Sequence, residues 1–334
     1  MDGGKAPGGK RPLGGKAPGG KAPGGGKAPG GERPLGGGEA PGGGDVEVEL
    51  VADVHANVGE GPVWWPEEGL LLWVDITPGH VHVLDPASST RRLLEVGQPV
   101  GAVAPRRAGG LVLAVQEGFA LADLATGETR TVARVGGGDP SLRMNDGKCD
   151  PKGRFWAGTM ALDERPGAGT LYRLDADYRV EAVLDGLTIS NGMGWSLDGR
   201  TMYFIDSPTQ RVDAFDFDPE RGAVANRRPL VEVPPEAGLP DGMTVDTEGF
   251  LWVALWGGWA VRRYAPDGTL DRVVRLPVSQ VTSCAFGGPG LDQLYVTSAA
   301  RDLTGDALRR EPHAGALFRC RPGVRGLPGV AFAG

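Results

Sequence analysis

The stretch "NDGKCDPKGRFW" (Asn145–Trp156) decides the fold, because its pattern recurs along the chain. It places a polar residue beside a glycine, continues through an apolar run and a turn, and ends in a strand that finishes on an aromatic residue. Three close copies and two weaker copies keep this order. They are "EGPVWWPEEGLLLW" from Glu60, "NGMGWSLDGRTMY" from Asn191, "DGMTVDTEGFLW" from Asp241, "VGAVAPRRAGGLV" from Val100 and "CAFGGPGLDQLY" from Cys284.

The copies start 40 to 50 residues apart, which is the period of a β-propeller blade of four strands. Helical repeats of similar length are disfavoured because β-branched and aromatic residues alternate, as in "RVDAFDFD" (211–218), without a 3.6-residue period. Six copies therefore predict an all-β fold, a six-bladed β-propeller with four-stranded blades around a central channel. Since a ring must close, we expect a strand near "VEVELV" (46–51) to pair with the last blade near "GALFRCR" (315–321).

Residues 1–44 differ from the rest of the chain, with 19 Gly, 7 Pro and no aromatic residue. Such a segment cannot bury enough apolar surface to offset its conformational entropy, so we predict a disordered Gly/Pro/Lys-rich tail. It lacks the apolar run of a signal peptide and the strict glycine period of collagen. The propeller domain is predicted to span residues 45–334.

The charge of the predicted propeller domain is acidic, with 28 basic and 39 acidic side chains. This balance argues against binding to nucleic acid or to anionic membranes, and it is compatible with a bound cation. No apolar run approaches the roughly 18 residues of a membrane span. The three cysteines, Cys149, Cys284 and Cys320, are too few and too widely spaced for a disulfide scaffold. They indicate reduced thiols in a cytoplasmic protein.

One position of the repeat is rich in side-chain oxygens. Repeats related by rotation about one axis bring equivalent positions together, so these side chains are predicted to ring the central channel near one mouth. An alternative is that Asn-Gly and Asp-Gly are simply turn dipeptides. Against it, Glu60 is a poor turn former and has the same phase. The first position of the six copies holds Glu60, Val100, Asn145, Asn191, Asp241 and Cys284.

A divalent cation is the natural partner of such a cluster. Glu60, Asn191 and Asp241 supply two carboxylates and three hard oxygen donors, and carboxylates brought close together repel unless a cation or proton intervenes. Oxygen ligands favour Ca²⁺, Mg²⁺ or Mn²⁺. Three protein ligands leave coordination positions for water and a substrate oxygen, so we predict a reactive metal site in the channel.

Other catalytic patterns are weak in this chain. His80 and His82 have the spacing to share one face of a strand, but no third His or Cys stands nearby. We interpret them as part of a solvated edge strand rather than a metal pair. No Gly-x-Ser-x-Gly motif occurs, so a serine hydrolase has no nucleophile elbow.

Several longer phrases match a known family. They are "GEGPVWW" (59–65), "RMNDGKCDPKGRFWAGTM" (143–160), "TISNGMGWSLDGRTMYFIDS" (188–207), "LPDGMTVDTEGFLWVALW" (239–256), "TSCAFGG" (282–288) and "YVTSA" (295–299). On these motifs the chain resembles the senescence-marker protein and gluconolactonase family of six-bladed propellers, and within it the regucalcin branch. The resemblance covers the chain from about residue 46 to its end, and residues 1–44 have no counterpart in it.

The resemblance assigns roles to individual residues. It implies that Glu60 and Asn191 are metal ligands and that Asp241 is both a ligand and the proton-transfer residue. Arg143 and Asn145 would hold the sugar lactone. Asp163, in "GTMALDERPG" (158–167), stands where relatives use a glutamate to contact substrate hydroxyls, and its shorter side chain leaves that contact open.

The activity implied by the resemblance is a divalent-metal-dependent gluconolactonase that hydrolyses sugar lactones to aldonic acids and binds calcium. Two alternatives remain: a non-catalytic Ca²⁺-binding regulator, and a promiscuous hydrolase of organophosphates or aryl esters. The cofactor would be one divalent cation, either Ca²⁺, Zn²⁺, Mn²⁺ or Mg²⁺. The expected partner is a sugar lactone, without nucleic acid or membrane. The protein is expected to be a monomer. Its expected location is the cytoplasm, with the nucleus as an additional location. A link to ascorbate biosynthesis is left open.

Overall fold

The computed structural model describes Met1, Gly3 and residues 46–334. Residues 46–334 form 24 strands in six four-stranded antiparallel sheets, which confirms the six-bladed β-propeller. The predicted disordered tail (1–44) lies, apart from Met1 and Gly3, outside the described residues. The strands are β1 (Val48–Ala52), β2 (Gly59–Trp65), β3 (Leu70–Asp75), β4 (His80–Asp85), β5 (Thr90–Glu95), β6 (Val100–Pro105), β7 (Leu111–Val115), β8 (Gly118–Ala122), β9 (Thr129–Arg134), β10 (Leu142–Cys149), β11 (Phe155–Ala161), β12 (Gly169–Leu174), β13 (Val180–Leu187), β14 (Ser190–Trp195), β15 (Thr201–Asp206), β16 (Arg211–Asp218), β17 (Ala223–Glu232), β18 (Leu239–Val245), β19 (Leu251–Trp256), β20 (Ala260–Tyr264), β21 (Leu270–Arg275), β22 (Val281–Gly287), β23 (Gln293–Ser298) and β24 (Leu317–Cys320).

Each blade is built from strands that follow one another in the chain. Blades 1 to 5 are β2–β5, β6–β9, β10–β13, β14–β17 and β18–β21, and blade 6 combines β22, β23 and β24 with β1. The first strands of the blades (β2, β6, β10, β14, β18 and β22) pack against one another in this order around the axis, and we call them the inner strands. Short helices occur only in the connections of the described part: Gly136–Gly138, Ser207–Thr209 and Pro235–Ala237 are 3₁₀ turns, and α1 is Asp306–Arg310.

The ring closes as the sequence predicts. β1 pairs antiparallel with β24, with Val48 opposite Cys320 and Leu50 opposite Phe318. The N-terminal strand therefore supplies the outermost strand of the last blade and covers its edge.

In blades 3 and 5 the recurring turn of the sequence is fixed by a buried aspartate. Asp150 follows β10, where its carboxylate accepts hydrogen bonds from the backbone N–H groups of Lys152 and Arg154 and from the indole of Trp156. Asp246 does the same in blade 5, for Glu248, Phe250 and Trp252. The same carboxylate thus shapes the turn and positions the aromatic residue of the next strand, which explains why the two recur together.

The hydrophobic core consists of six clusters, each lying between two neighbouring blades. Val74 and Leu113 belong to the cluster between blades 1 and 2, and Trp156 and Phe204 to the one between blades 3 and 4. Each blade packs against a neighbouring blade on both of its faces. Its strands therefore carry apolar side chains on both sides, in places without interruption. The repeat is therefore stable only as a closed ring.

The segment that follows β24 crosses the end of the channel where the inner strands finish. It hydrogen-bonds to turns of blades 5, 6, 2 and 3 in succession, through Thr247, Leu291, Pro105 and Gly153. Phe332 of this segment is fully buried between blades 2 and 3. One channel mouth is therefore covered by the C-terminal segment, and the other is where the inner strands begin.

Two minor expectations have clear outcomes. The interpretation of His80 and His82 as part of an edge strand is wrong: β4 lies between β3 and β5, and His82 is buried against Trp73, with ring centroids 4.7 Å apart. The three cysteines are free, as expected, and all three are buried. Among the described residues no helix has the length and apolar character needed to cross a membrane.

Candidate active site in the axial channel

All six inner strands carry a β-bulge at the same level of the channel. In each, one extra residue on the inner strand interrupts the pairing with the second strand of the blade, so side chains there turn away from the ladder. Asn145, Asn191 and Asp241 lie within these irregularities, and Glu60 lies at the edge of one. The register shifts fall at Glu60/Val63, Val100/Ala102, Met144/Gly147, Ser190/Met193, Pro240/Met243 and Val281/Ser283.

The bulges correct the sequence alignment in the two weak copies. In blade 6 the bulge is at Thr282, so Cys284, which we placed at the first position of its copy, lies two residues further along the strand. In blade 2 the bulge is at Gly101 rather than Val100. Neither copy presents a carboxylate or amide at this level, so the oxygen-rich positions are confined to blades 1, 3, 4 and 5.

The glycines that follow the polar residues are not turn residues. Asn191-Gly192 lies inside β14 and Asp241-Gly242 inside β18, which excludes the turn-dipeptide interpretation for both. A Cβ on Gly192 would stand 2.5 Å from the carbonyl oxygen of Asp241, and one on Gly242 would collide with Ser283. Glycine is therefore required for neighbouring inner strands to approach one another beside the polar cluster.

Glu60, Asn191 and Asp241 meet at this level. Glu60 and Asp241 lie close enough to act on each other's pKa, and Asn191 lies close enough to lower that of Asp241. All three are buried, with 3%, 4% and 7% of their surface exposed. Burial, the neighbouring Asp241 carboxylate and that of Asp146 raise the pKa of Glu60 well above its usual value. Burial and the charge of Asp146 do the same for the pKa of Asp241. The cluster needs a proton or a cation to compensate its charge.

The amide of Asn191 has one bonded atom and one atom without a partner. Its Nδ2 donates a hydrogen bond to Ser207 Oγ at 3.0 Å, while its Oδ1 is buried without a hydrogen-bond partner. An orphaned buried acceptor beside two carboxyl groups fits a hard divalent cation. No group of three or more His, Cys, Asp or Glu side chains able to hold a metal is found in the described part of the chain, and the present set has only two carboxylates with one amide.

Two further aspartates position the strands that carry Glu60 and Asn191. Asp75, at the end of β3, accepts hydrogen bonds from the backbone N–H groups of Asn57 and Val58, just before β2. Asp206, at the end of β15, does the same for the residues before β14, with an Ile189 N–H to carboxylate distance of 2.8 Å. Each buried carboxylate therefore fixes the entry of the inner strand that bears Glu60 or Asn191.

Arg143 and Asn145 form the wall of the site in blade 3. The Arg143 Nη1 donates to the Met144 carbonyl at 2.9 Å and to Asn145 Oδ1 at 2.7 Å. The Asn145 amide donates in turn to the Ser190 carbonyl at 2.8 Å, which links blade 3 to blade 4. Burial and the nearby charge of Arg301 lower the pKa of Arg143 to about 10, so it stays protonated at neutral pH. The remaining guanidinium donors are available to a ligand.

Asp163 is not brought into the cluster. Its side chain is 64% exposed and accepts a hydrogen bond from Arg165 Nη1 at 2.9 Å, so its predicted contact with a substrate stays a prediction. The next residue, Glu164, acts on Arg143 instead: its charge opposes the lowering of the Arg143 pKa. It also pairs with Arg301 at 3.2 Å.

Two charged residues of the site were missed by the sequence analysis. Asp146 is buried, which raises its pKa, and its charge raises the pKa of both Glu60 and Asp241. Lys148 lies deeper in the channel, donates to the Met243 carbonyl at 2.5 Å and has a pKa lowered by burial. Both stand in the stretch "NDGK" (145–148), whose density of polar residues inside an apolar strand was the available signal.

Comparison with known proteins identifies the family. The SMP-30/Gluconolactonase/LRE-like region matches residues 58–300. Regucalcin of Xenopus laevis is 42% identical over 296 residues, which cover 86% of this chain and 99% of the relative. A Bacillus subtilis protein, YvrE, named as an inferred sugar lactone lactonase, is 38% identical with the same coverage. A solved structure described as the calcium-binding protein regucalcin of Agrobacterium tumefaciens superposes with a TM-score of 0.83 at 30% identity, covering 86% of this chain and 98% of that one.

Proposed function

This chain belongs to the SMP-30/gluconolactonase/LRE-like family, and from that premise we propose that it hydrolyses sugar lactones to aldonic acids with one divalent cation. The observation that carries the proposal is the axial cluster: two buried carboxyl groups and the unpartnered Oδ1 of Asn191 converge in the channel. Relatives named as a sugar lactone lactonase and as regucalcin support the same class of activity.

The residues that would hold the cation are Glu60, Asn191 and Asp241. A divalent cation bound there would act as a Lewis acid toward the lactone carbonyl. Oxygen donors favour Ca²⁺, Mg²⁺ or Mn²⁺ over a structural zinc, although Zn²⁺ also accepts carboxylates. The calcium-binding relative from Agrobacterium tumefaciens supports Ca²⁺ among these ions.

Asp241 is proposed as the general base. Its carboxylate would take a proton from water as the water oxygen adds to the carbonyl carbon of the lactone. When the bond between that carbon and the ring oxygen breaks, the same proton would pass to the ring oxygen, which leaves as a hydroxyl group. The product is the open-chain hydroxy acid, and the carboxylate returns to its starting state.

Arg143 and Asn145 are proposed to hold the sugar. The guanidinium group cannot serve as a base near neutral pH, but its free N–H donors can bind ring hydroxyls and stabilise negative charge on the carbonyl oxygen. The Asn145 Oδ1 already accepts from Arg143 and keeps a second lone pair for a hydroxyl. The hydrogen bond from Asn145 to the Ser190 carbonyl keeps this wall rigid.

A lactonase assay with metal analysis tests the proposal. Hydrolysis of gluconolactone, followed with a pH indicator, should stop in a chelator and return with one of Ca²⁺, Mg²⁺, Mn²⁺ or Zn²⁺. Asp241→Asn should keep an oxygen ligand but lose the base, so that kcat falls about 100-fold or more. Asp177→Asn, a surface carboxylate paired only with Arg179 at 3.8 Å, is the matched control. Undiminished turnover by Asp241→Asn would refute the assigned base.

The same assay separates the alternative of a Ca²⁺-binding regulator, which the donor set also supports. A regulator would bind Ca²⁺ stoichiometrically and lose binding in Glu60→Gln, without hydrolysing any lactone. A phosphotriester and an aryl ester, assayed in parallel, address the promiscuous hydrolase. A specificity constant for either that exceeds the one for lactones would favour that activity instead.

A further inference from the structure

An ion pair crosses the open mouth of the channel. Glu164 follows the end of β11 by three residues, and Arg301 follows the end of β23 by three residues. The ends of both strands lie level with the start of their inner strands, since Arg143 pairs with Met160 and Val281 with Ser298. Blades 3 and 6 are opposite in a ring of six, yet Glu164 Oε1 and Arg301 Nη1 are 3.2 Å apart. The two loops therefore meet across the entrance to the site.

The loop that bears Arg301 is held firmly. The Ala300 N–H donates to the Ala56 carbonyl at 3.1 Å, which ties the loop to blade 1. The Gln280 side chain is buried and its Nε2 donates to the Arg301 carbonyl at 2.8 Å. Arg301 is thus a fixed cation at the entrance, and its side chain is 37% exposed.

Arg301 lies close enough to Arg143 for its charge to act there. The charge of Arg301 is the strongest neighbouring influence on the pKa of Arg143, after burial. Arg143 uses only Nη1 in hydrogen bonds within the protein, and Arg301 uses Nη1 for Glu164 and Nε for Asp302, the latter at 3.5 Å. Both guanidinium groups therefore keep free N–H donors, which suit a bidentate carboxylate or phosphate.

The carboxylate of Glu164 occupies the place that an anionic ligand group would take. Its side chain is 45% exposed, and ion pairs this exposed contribute little to stability, so a ligand can displace it at small cost. Its backbone is in the left-handed region, with φ 56°, which is uncommon for a residue other than glycine.

We propose that Arg301, together with Arg143, makes this site select sugar lactones that carry a further anionic group, a carboxylate or a phosphate, over neutral sugar lactones. The inference rests on the proposed lactonase function and adds the substrate class. Glu164 holds Arg301 across the entrance when no substrate is bound and yields it to the anionic group of the substrate.

A matched pair of substrates tests the carboxylate arm. Glucaro-1,4-lactone and glucono-1,4-lactone differ only at C6, where the first has a carboxylate and the second a hydroxymethyl group. The ratio of their kcat/KM values should favour the first in the wild type by about tenfold, the usual effect of one charge-assisted hydrogen bond. Arg301→Gln should remove this preference, and Glu164→Gln should increase it, because the competing carboxylate is gone.

Arg165→Gln is the control on the same loop, since Arg165 pairs with Asp163 and lies outside the entrance pair. It should leave the ratio within about twofold of the wild type, the range of an ordinary surface substitution. The phosphate arm uses 6-phosphoglucono-1,5-lactone against glucono-1,5-lactone and shows which anionic group is selected. The proposal is overturned if the ratio of the two kcat/KM values is the same in Arg301→Gln and Glu164→Gln as in the wild type. This ratio does not depend on how much of a variant is folded, so a poorly folding variant still gives a result.

Calorimetric binding of glucarate and gluconate separates this proposal from the function on which it rests. Stronger glucarate binding that depends on Arg301, without turnover of any lactone, would refute the lactonase and support the anion selection. Turnover of lactones with no dependence on Arg301 in either assay would refute the anion selection and leave the lactonase intact.

Discussion

The side chain of Asn191 shows how one hydrogen bond decides what a residue offers to the site. Ser207 Oγ accepts from Nδ2, and this contact leaves Oδ1 as the atom without a hydrogen-bond partner. An amide free to rotate would present its N–H groups to a cation for part of the time. Partners that orient a ligand are therefore nearly as important as the ligand itself.

We predict that Ser207→Ala weakens cation binding by about tenfold, because the Asn191 amide loses its orienting partner. Titration of the metal-free protein with Ca²⁺ or Mn²⁺, followed by calorimetry, measures the effect. Ser88→Ala removes a hydroxyl from a surface turn, where it donates to Asp85, and should leave the affinity unchanged. Equal affinities of the Ser207 variant and the wild type would contradict the role of this hydrogen bond.

His82 makes stability depend on pH. It is stacked on Trp73, and burial, with the charges of Arg91 and His80, lowers its pKa from 6.5 to about 4. The unfolded chain therefore binds a proton at a higher pH than the folded protein, so stability is complete above pH 6.5 and falls as the pH decreases toward 4. The loss at the acid end should be about 2–3 kcal/mol.

We expect His82→Gln to flatten the free energy of unfolding between pH 6.5 and 4 compared with the wild type. Urea denaturation at several pH values provides the measurement. His55→Gln, which removes an exposed histidine that does not act on His82, controls for the loss of an imidazole. A slope that persists in the His82 variant would assign the pH dependence to other groups.

At the scale of the element, the inner strand is the unit that builds the site. Its bulge turns a polar side chain toward the axis, and the following glycine lets the next inner strand come close. In blades 3 and 5 the aspartate after the strand fixes the turn and the indole of the second strand. Each of these features serves the local geometry, and together they explain why the repeat has a polar start and an aromatic end.

Asp246, the buried aspartate that fixes the turn of blade 5, should be essential for stability. Asp246 is fully buried and pairs with Arg263, whose Nη2 lies 2.7 Å from its carboxylate. Asp246→Ala leaves the Trp252 indole without its partner and Arg263 without its only fully buried one, so we predict a loss of about 3–5 kcal/mol. Asp267→Ala, which removes an exposed turn carboxylate from the same blade, should cost much less.

Chemical denaturation of both variants measures the difference. A loss in the Asp246 variant no larger than that in the Asp267 variant would show that Glu248 and Asp271, which also contact Arg263, are sufficient to compensate its charge.

At the scale of the whole molecule, closure of the ring holds the site together. Glu60, Asn191 and Asp241 belong to three blades, and their distance from one another depends on the order of all six. Six separate interblade clusters and the pairing of β1 with β24 maintain that order. A loss at the closing blade should therefore affect a site that lies on the axis.

We predict that a chain starting at Asp53, without β1, melts about 10 °C lower than a chain starting at Asp45. The first lacks the outer strand of blade 6, which leaves the edge of β24 open and prone to aggregation. Both lack residues 1–44, so the difference between their melting midpoints isolates the contribution of β1. The difference between the chain starting at Asp45 and the full chain tests the contribution of the predicted tail. Thermal unfolding of the three chains decides between these outcomes. Equal midpoints for the two truncated chains would show that closure does not need this strand.

The sequence by itself determined the ring and the phase of its polar residues. A repeat of 40 to 50 residues can bury its apolar faces only against copies of itself, so the number of copies gives the number of blades. Rotation about one axis then places equivalent residues together, which is why Glu60, Asn191 and Asp241 could be grouped before any coordinates were known.

Only the tertiary structure decided what lies outside that symmetry. A shift of one residue moves a side chain to the other face of a strand, so the weak copies at Gly101 and Thr282 could not be aligned by pattern alone. The loops after the second strands do not repeat, and the contact of Glu164 with Arg301 joins opposite blades. Such contacts depend on the closed ring as a whole, because residues far apart in the chain meet only after every blade between them is in place.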